Sequence, residues 1–139
     1  AFGQLRVTVE VRRLRVPTPS AAQLARTVCD KLGQLPPGTI NVLVLGAEAP
    51  LLAAASLIEA TGWLELRAAT NDDPVFRQRG FSGARDFLRH YRRLSGVLLF
   101  AESGGPTVDL WKNPQGRHPL PAALATILGR LALLPTASD

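Results

Sequence analysis

Leu5-Arg6-Val7-Thr8-Val9-Glu10-Val11-Arg12-Arg13-Leu14 alternates apolar and polar residues with a period of two. That spacing predicts a β-strand over 4–14, because successive side chains of an extended chain point to opposite faces. One row, Leu5, Val7, Val9 and Val11, is expected to face a core. The other sets Arg6, Thr8, Glu10 and Arg12 in line, with the carboxylate of Glu10 and the guanidinium of Arg12 one pleat apart on the same side. A carboxylate beside a cation on a strand face suits a polyanion or a metal ion.

Outward from this strand, Pro17-Thr18-Pro19-Ser20 predicts a helix start, with Thr18 or Ser20 as the cap. Leu24, Val28 and Leu32 continue it as an apolar stripe to about Gly33, and Leu35-Pro36-Pro37-Gly38 turns the chain. The β-branched and Leu run Ile40-Asn41-Val42-Leu43-Val44-Leu45 reads as a strand covered on both faces, which completes a βαβ unit. From Pro50 to about Leu66 the pattern is helical, with Gly62 leaving open one helix or a helix and a short strand. Asn71-Asp72-Asp73-Pro74 predicts a turn that caps a short helix. Ser82 is expected to cap a second one running through Leu94, with Phe87, Leu88, Tyr91 and Leu94 inward and Arg85, Arg89, Arg92 and Arg93 outward. Gly96 to Ala101 predicts another buried strand, joined through Gly104-Gly105 to an edge strand over 107–112. A loop follows over 113–119, then a helix over 120–134, apolar around most of its circumference with Arg130 its one charge. The predicted fold class is α/β: a mixed β-sheet flanked by helices, with strands at 4–14, 40–46 and 96–102 and a closing hairpin.

A chain of 139 residues, 46% hydrophobic and 19% charged, has the composition of one globular domain spanning 1–139. No apolar run reaches the ~18 residues of a membrane span and no signal-peptide pattern opens the chain, so a cytoplasmic protein without membrane partners is expected. The absence of methionine and the start almost inside a strand make a piece of a longer chain the expectation. One cysteine, Cys29, excludes an internal disulfide and a cysteine zinc cluster, and a buried inert thiol is expected of it. The net charge of +5 comes from fourteen arginines and two lysines against eleven acids. Arginine's planar fork suits phosphate, while an Arg-, Ala- and Pro-rich composition also fits a GC-rich genome.

The strand Val9-Glu10-Val11-Arg12-Arg13-Leu14, a helix, then Gln34-Leu35-Pro36-Pro37-Gly38 leading into Asn41-Val42-Leu43-Val44-Leu45 resembles the second half of the PD-(D/E)xK region. That motif belongs to the restriction-endonuclease-like nuclease superfamily. Leu110-Trp111-Lys112-Asn113-Pro114 and His118-Pro119-Leu120-Pro121 also look like uncharacterised bacterial relatives. The resemblance implies a restriction-endonuclease-like core lacking its first strands. It makes Glu10 the catalytic metal ligand for Mg²⁺, and sets Arg12 where the family has its lysine. Two hard oxygen ligands would hold the cation and the cation would stabilise charge on a phosphoryl group. The chain departs from the pattern twice. No aspartate precedes Glu10, and Arg12, unlike lysine, does not give up a proton at neutral pH.

The resemblance therefore leads to a degenerate nuclease-like domain that binds nucleic acid through a basic groove, any cleavage being that of a Mg²⁺-dependent phosphodiesterase. Arg6, Arg12, Arg13, Arg15 and Lys31 form the expected nucleic-acid surface, with a second basic cluster at Arg77, Arg79 and the 85–93 stripe. His90 and His118 lack partners at metal spacing and read as surface or hydrogen-bonded histidines. Glu48, just past a strand, reads as an ordinary loop carboxylate that a metal site can also recruit. A reading of a different class is a protein-interaction or oligomerisation module with no nucleic-acid role. Its homodimer contact would be the 120–134 helix or the 107–112 edge strand.

Overall fold

The structure, a computed structural model, describes residues 6–13, 19–47, 50–101 and 108–133, with side chains described except at 10–13, 50–52, 101, 108–109 and 128–133. Its elements are β1 (Val7–Arg13), α1 (Ala21–Leu32), β2 (Ile40–Ala47), α2 (Pro50–Ala69), α3 (Asp73–Arg77), α4 (Ala84–Tyr91), β3 (Leu94–Ala101), β4 (Val108–Lys112) and α5 (Ala122–Leu133). The four strands form one sheet in the order β1-β2-β3-β4. The first three run parallel, and β4 returns antiparallel to β3. The α/β class, the mixed sheet and the closing hairpin are those predicted.

The strand order advances one way, so two crossovers of the same hand fall on one face of the sheet. The core shows this. Leu43 and Leu45 of β2 and Val97 and Leu99 of β3 pack beneath Leu24 and Val28 of α1, Leu57 and Leu64 of α2, and Phe87 and Tyr91 of α4. On the other face Ile40, Val42 and Leu98 meet Leu120, with Leu110 and Leu124 at the margin. There α5 packs against β4, at the edge of the sheet farthest from β1.

That placement overturns one expectation. Val7 and Val9 of β1 are 37% and 48% exposed instead of facing a core. They pair with Ile40 and Val42, whose face is covered, among the described residues, by Leu120 and α5. Alternation reveals the period of a strand, not which of its faces acquires a cover. Leu5 lies outside the described residues, as does the side chain of Val11.

The helices follow local chemistry. Ser20 caps α1 in a reciprocal box: its Oγ accepts from Gln23 N–H at 3.2 Å, while Gln23 Oε1 accepts from Ser20 N–H at 2.8 Å. The open question at Gly62 resolves to one helix, α2. Glycine there weakens a helix by about 1 kcal/mol. The buried row Ala53, Leu57, Ala60, Leu64 and Ala68 offsets that by packing on the sheet. Around Ser82 the expectation fails. Helix α4 begins at Ala84 with Gly83 as its N-cap, and Leu94 opens β3 rather than closing the helix. The cap comes from elsewhere: Asp73 Oδ1 accepts from Ala84 N–H at 2.8 Å. Phe76 stacks on Phe87 at 4.3 Å between centroids, and Phe81 meets Phe87 edge-on at 5.5 Å. No helix among the described residues is long and apolar enough to cross a membrane.

Candidate nucleic-acid interface

Two buried asparagines hold the turn between α4 and β3. Asn41, at the start of β2, is wholly buried and donates through Nδ2 to Pro36 O at 2.9 Å and Arg93 O at 2.8 Å. Its Oδ1 accepts from Thr39 Oγ1 at 2.9 Å. Asn113, just past β4, donates through Nδ2 to Tyr91 O at 3.0 Å and Leu94 O at 2.8 Å, and accepts from Gln115 N–H at 3.0 Å. A strand-end amide with both ends satisfied fixes the loop beside it. The loop after β4 is fastened again where Arg117 N–H donates to Arg92 O at 2.8 Å.

These ties bring three separate stretches together at the amino ends of β2 and β3. Pro37 and Gly38 precede β2, Arg89, Arg92 and Arg93 belong to α4 and the turn after it, and Arg117 and His118 follow β4. Together they line an open pocket of about 140 Å³. Among the described residues its lining holds four guanidinium groups, one imidazole and no carboxylate. Part of this charge has an intramolecular use. Arg89 Nη2 donates to Asp86 Oδ1 at 2.6 Å, and Arg93 Nη1 donates to Leu35 O at 3.2 Å. Cations at the carboxyl end of α4 also complement its dipole. Arg92 and Arg117 are exposed and meet no carboxylate among the described residues. Guanidinium groups in this state are suited to phosphate oxygens.

The sequence-predicted residues divide between the two ends of the sheet. Arg6 is exposed at the amino end, where its carbonyl accepts from Ile40 N–H at 3.0 Å. Lys31, in the last turn of α1, is half-buried and already has a partner. The backbone of Glu10 pairs with Leu43, and that of Arg12 with Leu45. Leu45 lies four residues beyond Asn41, about 13 Å farther along the sheet. The side chains of Glu10, Arg12 and Arg13 lie outside the described residues, as do Arg15 and Glu48. Of the second basic cluster, Arg89, Arg92 and Arg93 join the pocket. Arg77 instead donates through Nε to Ser82 O at 3.2 Å, and Arg79 lines a separate groove with Glu59 and Trp63. Sequence reasoning missed Arg117, and it reads His118 as a surface or hydrogen-bonded histidine. Their one signal was the conformationally restricted Asn113-Pro114-Gln115-Gly116 that precedes them.

Among the described residues no three His, Cys, Asp or Glu side chains come together as a cation cage. His90 Nδ1 lies 2.9 Å from Asp86 O within its own helix. Burial pushes the Cys29 thiol up to about 12, against the smaller opposing effect of Arg79, so the thiol is inert at neutral pH, as expected. The chemistry this arrangement supports is recognition of an anion by guanidinium and imidazole donors. Comparison of the chain with protein-family models, curated proteins and solved structures returns no match.

Proposed function

We propose that this domain binds nucleic acid, and that the pocket at the amino ends of β2 and β3 is where it grips the phosphate backbone. The observation that carries this reading is the lining itself: Arg89, Arg92, Arg93, Arg117 and His118 around one opening, with no carboxylate among them. A net charge of +5 and exposed Arg6 at the same end of the sheet support it. The resemblance to the nuclease superfamily agrees in substrate class, and any cleavage would be that of a Mg²⁺-dependent phosphodiesterase. Glu10 would be the residue to hold Mg²⁺. Arg12 in the lysine position acts as a phosphate contact rather than a proton carrier.

The test is fluorescence anisotropy with a short DNA duplex across a salt series. Engagement of two or three phosphates gives a log–log slope of about −1.8 to −2.7, a fall of about 12- to 42-fold between about 50 and 200 mM salt. Binding that is absent at the low end, or indifferent to salt, overturns the reading.

A further inference from the structure

The cations of the arginine pocket are gathered rather than strung out. Arg89, Arg92 and Arg93 come from α4 and the turn after it, Arg117 and His118 from the loop after β4, and all line one opening of about 140 Å³. The two segments are in direct contact. Arg117 N–H donates to Arg92 O at 2.8 Å, and Gly116 lies so close to the turn that a Cβ there would stand 2.9 Å from Leu94 O. Half-buried His118 has no hydrogen-bond partner among the described residues, and exposed Arg92 and Arg117 meet no carboxylate among them. Gly38, at φ +75° on the same lining, adds no side chain to the opening.

A duplex carries one charge about every 3.4 Å of rise on each strand, so a face that reads its length spreads cations along a line. Here they surround a point, which suits a single, multiply charged group. An internal phosphodiester is a monoanion with two non-bridging oxygens. A phosphomonoester carries about −1.5 to −2 charge at neutral pH and three terminal oxygens, so it engages more donors at once. Resting on the reading of this pocket as a phosphate site, we propose that its preferred ligand is a phosphomonoester, the group found at the phosphorylated end of a nucleic-acid strand and on a free nucleoside monophosphate. Arg92, Arg117 and His118 supply donors not already used within the described chain. Arg89 and Arg93, tied to Asp86 and to Leu35 O, contribute their charge.

Fluorescence anisotropy at fixed salt tests this, with an internally labelled oligonucleotide ending in hydroxyls and the same strand carrying a 5′- or a 3′-phosphate. A phosphorylated strand should bind about tenfold or more tighter than the hydroxyl form, the worth of one added charge-assisted contact. Arg92→Ala and Arg117→Ala should each remove most of that preference. Arg26→Ala, which takes the same charge from an exposed position on α1, should keep it. A nucleoside monophosphate that displaces the phosphorylated strand at equal concentration makes the free nucleotide the source of the group, and one that fails in large excess makes it the strand end. Salt-dependent binding of all three strands with equal affinity overturns the phosphomonoester and leaves the backbone reading standing. Binding of none overturns both. A preference that survives both Arg92→Ala and Arg117→Ala also overturns the proposal, since the end is then held outside this pocket.

Discussion

Asn41 and Asn113 grip the same short turn from opposite sides, one through Arg93 O and the other through Tyr91 O and Leu94 O. One asparagine comes from the start of β2 and the other from the end of β4, so the turn that carries Arg92 and Arg93 is clamped between two strands' ends. Removing either clamp strands buried carbonyl groups. Asn113→Ala leaves two carbonyls and the Gln115 N–H without their partner, and should destabilise the fold by about 2–3 kcal/mol in urea denaturation. A change under about 0.5 kcal/mol would show that the clamp is dispensable.

The pocket's arginines should not be equivalent. Arg89 is tied to Asp86 at 2.6 Å, whereas Arg92 and Arg117 meet no carboxylate among the described residues. Arg92→Ala and Arg117→Ala should each reduce the salt slope of duplex binding by about 1. Arg89→Ala should change it less. Equal effects at all three positions would point to a diffuse field rather than contacts within the pocket.

Asp86 gives the fold an acid-sensitive point. Its carboxyl is held below the ordinary carboxylate value, first by the Ser82 N–H it accepts at 2.9 Å and then by its bond from Arg89. A group depressed in the folded state contributes stability that is complete above its unfolded value, about 3.9, and lost as pH falls through the folded value. Asp86→Ala should therefore lower stability at neutral pH and leave a shallower decline of stability below about pH 4. Parallel acid limbs for the two proteins would sink this assignment.

Gly96 is fixed by its surroundings. A Cβ there would stand 2.5 Å from Leu120 Cδ1 and 2.8 Å from the Trp111 carbonyl oxygen. Leu120 can shift, but the backbone of β4 is held by its pairing with β3. Gly96→Ala should lower stability by about 1–3 kcal/mol, read as a fall in melting temperature. The same substitution at exposed Gly33, where a Cβ meets nothing within 4 Å, is the control and should be nearly neutral.

Much of the architecture was legible because it rests on local pattern. The runs at 40–47 and 94–99 are buried strands for the reason they looked so: both faces are covered, and β-branched and Leu side chains fill both. What the sequence withheld depends on distance. Nothing near Val7 and Val9 records that α5 packs at the opposite edge of the sheet. Nothing near Ser82 records that Asp73 reaches Ala84 from another helix. The arginine pocket was half visible, as a stripe on α4, while Arg117 and His118 reach it only through hydrogen bonds to a turn about twenty residues earlier.

That assembly from remote stretches carries a thermodynamic consequence. Segments near 37, 92 and 117 are neighbours only when the sheet has formed, so the unfolded chain offers no equivalent receptor. Whatever anion occupies the opening is then linked by mass action to the folding equilibrium itself. At a hundredfold excess over its dissociation constant such a guest stabilises the native chain by about 2.7 kcal/mol, and a melting curve can detect it before any assay of function exists.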